Sequence, residues 1–308
     1  MKKFSFLTSF LLLAFMVSTF VACKDDDDTP KPQNIAEIVA NDANFSTLKT
    51  ALDRANLTSV LESTGPFTVF APTNAAFTAA GIDVNTIDAA TLSDVLLYHV
   101  LGGSVKSTDL AAGQTYASTA AEAGPNGEQL SILIEKTGSA VKVNNSANVT
   151  TADVEASNGV IHIIDKVLLP LDVVGHAAAN SNFTSLVGAL GAAAGDLTTV
   201  LSGDGPFTVF APVNSAFEAI SSVTSTLTAE QLASVLTYHV VGGNVLSSDL
   251  TNGMKVATVN GQEFTVNISG SNVTLTSSSG NTAKVVLTDV QGTNGVIHVL
   301  DAVIVPNL

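Results

Sequence analysis

The chain has 308 residues, of which 46% are hydrophobic and 13% charged, and 27 acidic residues stand against 12 basic ones. So acidic a surface repels phosphate groups, which argues against nucleic-acid binding. The chain has no Trp and three Tyr. It therefore offers few aromatic rings for stacking a sugar or a drug-like ligand in a deep pocket.

The first 20 residues have the pattern of a secretory leader, two Lys followed by a long apolar stretch. An uncleaved membrane anchor is the alternative for such a stretch. The segment Phe20-Val21-Ala22-Cys23 resembles the bacterial lipobox, whose cysteine is acylated and becomes the mature N-terminus. Cys23 is the only cysteine in the chain, so an internal disulfide is excluded. We predict a lipoprotein signal peptide over residues 1–22 and lipidation of Cys23.

An acidic run, Lys24-Asp25-Asp26-Asp27-Asp28, follows the cysteine and leads into a Pro-containing segment. Such a sequence cannot bury apolar area, so residues 23–33 are expected to form a solvated tether. The run also resembles the surface-export signal of Bacteroidetes lipoproteins. A calcium site is a third possibility, although consecutive Asp residues outside a structured loop bind weakly. The prediction is a protein that is lipid-anchored in the outer membrane and exposed on the cell surface.

Helical spacing of apolar residues predicts two helices at the start of the body, around Ile35–Val39 and Phe45–Leu52, with Asn44 as the cap of the second. Phe67–Phe70 is expected to form a short strand that ends at Pro72. A short helix is expected to begin at Thr73 or Asn74 and run through Phe77. Another helix is expected to begin at Thr91 and lead to Tyr98-His99-Val100. Gly102-Gly103 is a turn. Four strands follow, at Leu130–Glu135, Ala140–Asn144, Val149–Glu155 and Val160–Leu168. Helices followed by antiparallel strands predict an α+β domain with a twisted sheet or small sandwich.

After the leader and tether, the sequence consists of two similar repeats, which join near Pro170 with almost no linker. We therefore predict two domains, residues 34–170 (domain 1) and 171–308 (domain 2), with limited freedom between them. Three segments of domain 1 recur in order in domain 2: Gly65–Pro72 at Gly205–Pro212, Tyr98–Val100 at Tyr238–Val240, and Asn158–Asp165 at Asn294–Asp301.

These motifs resemble the fasciclin-type domain. The resemblance rests on Thr-Val-Phe-Ala-Pro-(Thr/Val)-Asn-x-Ala-Phe at 68–77 and 208–217, on the middle Tyr-His, and on Asn-Gly-Val-Ile-His-x-(Ile/Leu)-Asp near the end of each unit. It covers nearly all of the chain after residue 33. It implies two tandem domains, each a wedge-shaped β-sandwich with a helical layer. It also implies a role in adhesion or matrix attachment without a known catalytic centre.

The resemblance nominates Tyr98, His99, Tyr238 and His239 as candidate partner-binding residues. The structural alternative is a half-buried, hydrogen-bonded pair that joins a helix to the sheet, and the apolar residues around the first pair favour it. The Asn of the Thr-Val-Phe-Ala-Pro-x-Asn segment, Asn74 or Asn214, is best explained by a hydrogen bond to backbone at a helix start.

The remaining histidines predict neither a metal site nor a cofactor site. His162 and His298 lie within apolar strands and are expected to be satisfied core groups, and His176 has no counterpart in domain 1. No two histidines, and no His with Cys, have metal-ligand spacing.

Enzyme motifs are also incomplete. Ser46-Thr47-Leu48-Lys49 and Lys136-Thr137-Gly138 match two of the three serine β-lactamase motifs, but the third is missing. Short patterns of this kind arise by chance, so we do not expect an enzyme.

The function predicted from the sequence is a surface-anchored adhesion or matrix-binding lipoprotein. Its expected partners are a surface polysaccharide or a matrix or cell-surface protein, and it contacts the membrane through its lipid anchor only. Two similar units on one anchor raise avidity without either site being strong. The alternatives are a structural envelope protein that faces the periplasm, and a carrier of lipid or another small ligand, which would need an apolar cavity.

Overall fold

The computed structural model describes residues 31–308, apart from the side chains of Val223 and Thr224. The predicted signal peptide, the predicted lipidation site Cys23 and the acidic run Lys24–Asp28 lie outside the described residues. Gln33–Leu308 form one compact unit. Lys31 and Pro32, which precede it, are exposed. Within residues 31–308, no helix has the length and apolarity that a membrane span requires.

Domain 1 begins with helices, and its longer strands follow them, as the sequence predicts. A short 3-10 turn, Ala43–Phe45, precedes the second helix. The elements of domain 1 are α1 Ile35–Asn41, α2 Ser46–Arg54, α3 Thr58–Glu62, β1 Phe67–Pro72, α4 Asn74–Ala80, α5 Ala89–Leu97, β2 Val100–Gly102, β3 Gly113–Ser118, β4 Ser131–Thr137, β5 Ala140–Val143, β6 Ala147–Ala156 and β7 Gly159–Ile164.

Domain 2 repeats this order with one additional short helix, α10. Its elements are α6 Val173–Ala179, α7 Thr184–Ala192, α8 Leu197–Leu201, β8 Phe207–Pro212, α9 Asn214–Ala219, α10 Ser221–Thr224, α11 Ala229–Tyr238, β9 Val240–Gly242, β10 Lys255–Ala257, β11 Glu263–Ser269, β12 Asn272–Thr276, β13 Thr282–Gly292 and β14 Gly295–Leu300.

Each domain is built on one seven-stranded sheet that curls until its edges nearly meet. In domain 1 the strand order is β2-β1-β7-β6-β5-β4-β3. Two register shifts bend β6, because a bulge increases the local twist of a strand. The edge strands then approach each other, with a bridge between Leu101 and Thr119 and a 2.8 Å hydrogen bond from Ala120 N to Val100 O. Domain 2 closes in the same way through Val259 N and Val240 O, 2.8 Å apart. The predicted α+β class is confirmed.

The expectation of antiparallel strands is wrong for one strand pair in each domain. Strand β1 lies parallel to β7, with Val69 opposite Ile161, and β8 lies parallel to β14 in the same register. The two paired strands are about 90 residues apart in sequence. Because the intervening chain forms two helices and five strands, the first strand meets the last one running in the same direction.

The helix starts show which polar residues cap each helix. Asn34 and Glu37 form a capping box on α1, which satisfies two backbone N–H groups at that terminus. The prediction that Asn44 caps α2 is wrong: Asp42 caps the 3-10 turn by accepting from Asn44 N at 2.8 Å. Helix α5 begins at Ala89, two residues before the predicted start at Thr91, and Asp88 caps it. The sequence did not predict α3, β2 or β3.

Each domain has two main apolar cores, one on either side of the strand pair β1–β7 or its repeat. In domain 1 the first core lies between the helices and the sheet and contains Phe45, Leu52 and Phe77. The second lies inside the curled sheet and contains Phe70 and Ile132. Domain 2 has the same two cores and a third, smaller cluster of Ala216, Val235 and Val303. The segment Tyr98–Val100 and its repeat pass between the two cores, which is why they are buried.

Candidate functional site

Tyr98 and Tyr238 are the anchors of the inner cores, and both are fully buried. The Tyr98 hydroxyl donates to Ser131 O at 2.9 Å and accepts from Asn144 Nδ2 at 3.0 Å. The Tyr238 hydroxyl donates to Glu263 O at 2.8 Å and accepts from Ser278 N at 2.9 Å. Burial raises the pKa of Tyr98 above its ordinary value. Each hydroxyl therefore ties the helix that carries it to the strand beneath.

His99 and His239 are also buried, and both ring nitrogens of each are bonded to backbone. Leu168 N donates to His99 Nε2 at 2.9 Å, so the proton lies on Nδ1, which donates to Val95 O at 2.7 Å. His239 makes the same pair of bonds, with Ile304 N at 3.1 Å and Val235 O at 2.8 Å. Burial lowers the pKa of each imidazole to about 4, so both are neutral at pH 7.

The four residues nominated for partner binding thus lie inside the domains rather than on their surfaces. Tyr98, His99, Tyr238 and His239 have exposed fractions of 0–3%, and their polar atoms are occupied by internal bonds. A side chain in this position cannot reach a partner that stays outside the domain. The geometry supports the structural alternative, in which the pair joins the helix to the sheet and to the chain after the last strand.

The Asn of the Thr-Val-Phe-Ala-Pro-x-Asn segment bonds backbone at a helix start, as predicted, but at a different helix. Asn74 Oδ1 accepts from Thr47 N at 2.9 Å, in the first turn of α2, and its Nδ2 donates to Ala43 O at 2.8 Å. Asn214 repeats the arrangement with Ser185 N and Ser181 O, both at 2.9 Å. Each Asn therefore caps a helix about 28 residues earlier in the chain.

Asn158 and Asn294, which begin the last repeated motif, are three-way clamps on backbone. Asn158 Oδ1 accepts from Ile35 N at 3.0 Å, and its Nδ2 donates to Leu61 O at 2.7 Å and Ser63 O at 2.8 Å. Asn294 makes the same three bonds in domain 2. The recurrence of the motif was visible in the sequence, but nothing local indicated which backbone groups it binds.

The glycine after each clamp is required by the close approach of two strands. Gly159 and Gly295 have φ values of +155° and +156°, and a Cβ at Gly159 would lie 2.0 Å from Phe67 O. The Asn-Gly pair therefore combines a side-chain clamp with a backbone that only glycine allows.

His162 and His298 are satisfied core groups, as predicted from their strands. His162 Nε2 donates to Val105 O at 2.9 Å, and Asp153 N lies 3.3 Å from its Nδ1. Asp153 has a left-handed backbone, φ 60°, and its carboxylate accepts from both N and Oγ of Ser107. Domain 2 repeats these bonds with Ser247, Asp289 and His298. These residues tie a loop to the strand bulge.

This Ser-Asp-His grouping, which the sequence reasoning missed, lacks the geometry of a catalytic triad. Activation of a serine requires that the imidazole bond the hydroxyl. Here the carboxylate lies between the two, and the far imidazole nitrogen binds a carbonyl.

The two β-lactamase-like fragments have separate surface and loop roles. Lys49 Nζ pairs with Asp53 at 2.8 Å on the exposed face of α2, whereas Lys136 Nζ donates to Ser107 O at 2.8 Å and Leu110 O at 3.0 Å. Across residues 31–308, no group of three or more His, Cys, Asp or Glu could hold a metal ion.

The two domains meet through a polar and aromatic interface. Tyr116 of domain 1 packs edge-on against His176 of domain 2, with ring centroids 5.7 Å apart, and its hydroxyl accepts from Asn180 Nδ2 at 3.1 Å. Gln291 N donates to Ser131 Oγ at 2.9 Å in a buried bond. Burial raises the pKa of Tyr116 to about 12 and lowers that of His176 to about 4, against a smaller opposing effect of the nearby Gln291 backbone.

The equivalent positions of the two domains carry different residues at this interface. Domain 2 carries Lys255 and Glu263 at the sheet positions that Tyr116 and Ser131 occupy in domain 1, as the strand registers establish. Both charged residues are exposed. The sequence predicted a join with little freedom, and these contacts connect the two domains across that join.

A family model described as the fasciclin domain matches residues 43–170 and 181–306. Protein sll1483 from Synechocystis is 42% identical over 149 residues, which cover 46% of this chain and 76% of that protein. The pig transforming growth factor-beta-induced protein ig-h3 is 30% identical over 258 residues, 80% of this chain. Human periostin is 27% identical over 83% of this chain. The chain spans only 36% of ig-h3 and 30% of periostin.

Among solved structures, the chain is similar to a FAS1 domain pair from the insect cell adhesion molecule fasciclin I. The TM-score is 0.50 at 20% sequence identity, and the match covers 83% of this chain and 96% of that one. The similarity extends over both domains and therefore concerns the fold of the pair.

Proposed function

The chain belongs to the fasciclin-domain family, and from that premise we propose that it is a surface-anchored adhesion or matrix-binding lipoprotein that acts through both domains and is not an enzyme. Fasciclin domains are found in adhesion proteins, among them the insect molecule whose domain pair has the same fold. The proposed partners are a surface polysaccharide or a matrix or cell-surface protein.

The observation that carries this proposal is the built interface between the domains. The Tyr116–Asn180 and Ser131–Gln291 bonds hold the two domains in one arrangement, so their outer surfaces present a fixed pair of contact areas. A rigid pair loses less entropy on binding an extended partner than two freely jointed domains do. The polar motifs that recur in both domains make internal hydrogen bonds, which leaves the outer strands and loops for contact.

The two outer surfaces differ in a way that helps to map binding. Strand β13 exposes Val286 and Leu287, with exposed fractions of 52% and 42%. The equivalent residues of β6 in domain 1 are Thr150 and Thr151. The double variant Val286→Thr/Leu287→Thr therefore gives domain 2 the residues of domain 1 without touching either core.

The anchor is the second element of the proposal. Acyl groups on Cys23 would hold the protein in the outer membrane, and the acidic run Lys24–Asp28 would direct it to the outside and space the domains from the lipid. We expect Cys23→Ser to release the protein from membranes. Protease added to intact cells should degrade the wild-type protein, whereas protection until the cells are lysed would contradict surface exposure.

Binding of the purified protein to immobilised polysaccharides, matrix proteins and intact cells tests the adhesion function. Saturable binding to one class is expected, with Tyr98→Phe as a control that keeps the outer surface unchanged. Loss of partner binding in Val286→Thr/Leu287→Thr would place the contact on domain 2. If the variant still binds, the contact lies on another surface. No saturable binding to any member of the panel would overturn the adhesion proposal.

A further inference from the structure

Domain 2 contains an apolar cavity of about 90 Å³ between its helices and its sheet. Helices α6, α7, α8 and α11 form one wall, and strands β8 and β14 form the other. Val173, Ala177 and Leu190 are among the buried lining residues. Val200 and Val259 also line it, and their exposed fractions of 54% and 55% place them at its mouth.

The two polar side chains in the lining have no free hydrogen-bond donor. Thr237 Oγ1 donates to Ala233 O at 2.7 Å, and both nitrogens of His239 are bonded to backbone at Val235 and Ile304. A water molecule needs two to four polar partners to occupy a buried site. A cavity lined in this way favours an apolar occupant over water.

Comparison with domain 1 shows that apolar bulk has moved from the floor of this site to its rim. The floor residues Val173 and Ala177 replace Ile35 and Val39, which removes three carbon atoms from the buried end. At the outer end, the half-buried Val174 replaces Ala36, and Val259 replaces Ala120. The equivalence follows from matching helix starts, since Ile35 N and Val173 N bind Asn158 and Asn294 in the same way.

We propose that this cavity binds the end of an uncharged aliphatic chain. A cavity of about 150 Å³ accommodates benzene, so one of 90 Å³ accommodates about four carbon atoms. The exposed side chains of Val200 and Val259 would contact the part of the aliphatic ligand that extends out of the cavity. The net charge of −15 disfavours an anionic head group at the mouth.

Titration of the purified protein with straight-chain alcohols from ethanol to octanol tests the proposal, with binding followed through the methyl NMR signals of Ala177 and Leu190. Affinity should rise about fourfold per methylene until about four carbons are buried, and more slowly for longer chains. Affinity that does not depend on chain length would overturn the proposal. Tighter binding of hexanoate than of hexanol, or of benzene than of butanol, would also overturn it.

The variant Val173→Ile/Ala177→Val fills the floor with the residues that domain 1 uses. It should lose butanol affinity at least tenfold, because three of about four carbon positions are taken. Val187→Ile, on the exposed face of α7, adds a carbon outside the cavity and should bind as the wild type does. If the double variant fails to fold, Ala177→Val alone provides the same comparison. Unchanged butanol affinity in the filled protein would refute the assigned site.

Discussion

Replacing the clamp residue Asn158 by Ala should destabilise domain 1 through three backbone groups at once. Its amide oxygen accepts from Ile35 N, and its amide nitrogen donates to Leu61 O and Ser63 O. These bonds join the start of α1 and the end of α3 to the turn before β7. Alanine can replace none of them, so the three backbone groups lose their partner.

The expected loss follows from the burial of those groups. The bonds to Ile35 and Leu61 are buried, and the bond to Ser63 is partly buried. A buried group left without a partner costs about 1–3 kcal/mol, and water can replace the partner at the third group. We therefore expect the free energy of unfolding to fall by about 3 kcal/mol. In a domain of this size that lowers the melting temperature by roughly 10 °C.

Chemical denaturation followed by far-UV circular dichroism measures this loss, and domain 2 supplies the matched control. Asn294 binds Val173 N at 3.0 Å, and Leu201 O and Gly203 O at 2.8 Å. The loss in free energy of unfolding caused by Asn294→Ala in domain 2 should therefore agree with that caused by Asn158→Ala to within about 1 kcal/mol. Losses below about 1 kcal/mol in both variants would refute the reasoning, because the bonds would then contribute no more than typical surface contacts.

Three further predictions concern other parts of the chain. Tyr98→Phe leaves Ser131 O and Asn144 Nδ2 without their partner and should lower the free energy of unfolding by about 1–3 kcal/mol without changing partner binding; a selective loss of binding at unchanged stability would contradict its structural role. Because burial lowers the pKa of His176 to about 4, the unfolded chain takes up its proton first and stability falls as the pH drops from 6.5 to 4. His176→Ile, the residue of domain 1, should reduce that loss in denaturation measurements at several pH values, and an unchanged pH profile would contradict it. Gly188→Ala/Gly191→Ala should raise the stability of domain 2 by about 1–2 kcal/mol, since both glycines lie on the exposed face of α7 with nothing within 4 Å of an added Cβ; lower stability in thermal unfolding would show that the helix needs them.

Much of the fold was predictable because its signals are local or repeated. The exact return of Gly65–Pro72 at Gly205–Pro212 identified two copies of one unit, and the three motifs in order indicated the family. Apolar spacing placed α1 and α2, and β-branched runs placed the strand β1 and the later strands of the sheet. His162 was correctly predicted as a core group, because a lone histidine in an alternating apolar strand has one face in the core.

Long-range contacts account for what the sequence did not predict. The side chain that satisfies the start of α2 is Asn74 rather than the neighbouring Asn44, because folding brings a residue from a later helix to that terminus. The parallel pairing of β1 with β7 depends on how the whole intervening chain is arranged. Strand β3 has no strong apolar alternation, and its place at the edge of the sheet comes from pairing with β4.

The sequence by itself therefore determined the number of domains, their family and most of their elements, since these depend on local spacing and on repetition. Only the tertiary structure decided how its polar residues are used. In sequence, Tyr98 and His99 allowed both a surface role and a core-edge role, with their apolar neighbours favouring the core edge, and their position between two cores buries them. The cavity of domain 2 likewise depends on where Val173 and Ala177 face, because an empty volume is set by the side chains that surround it and not by those adjacent in the chain.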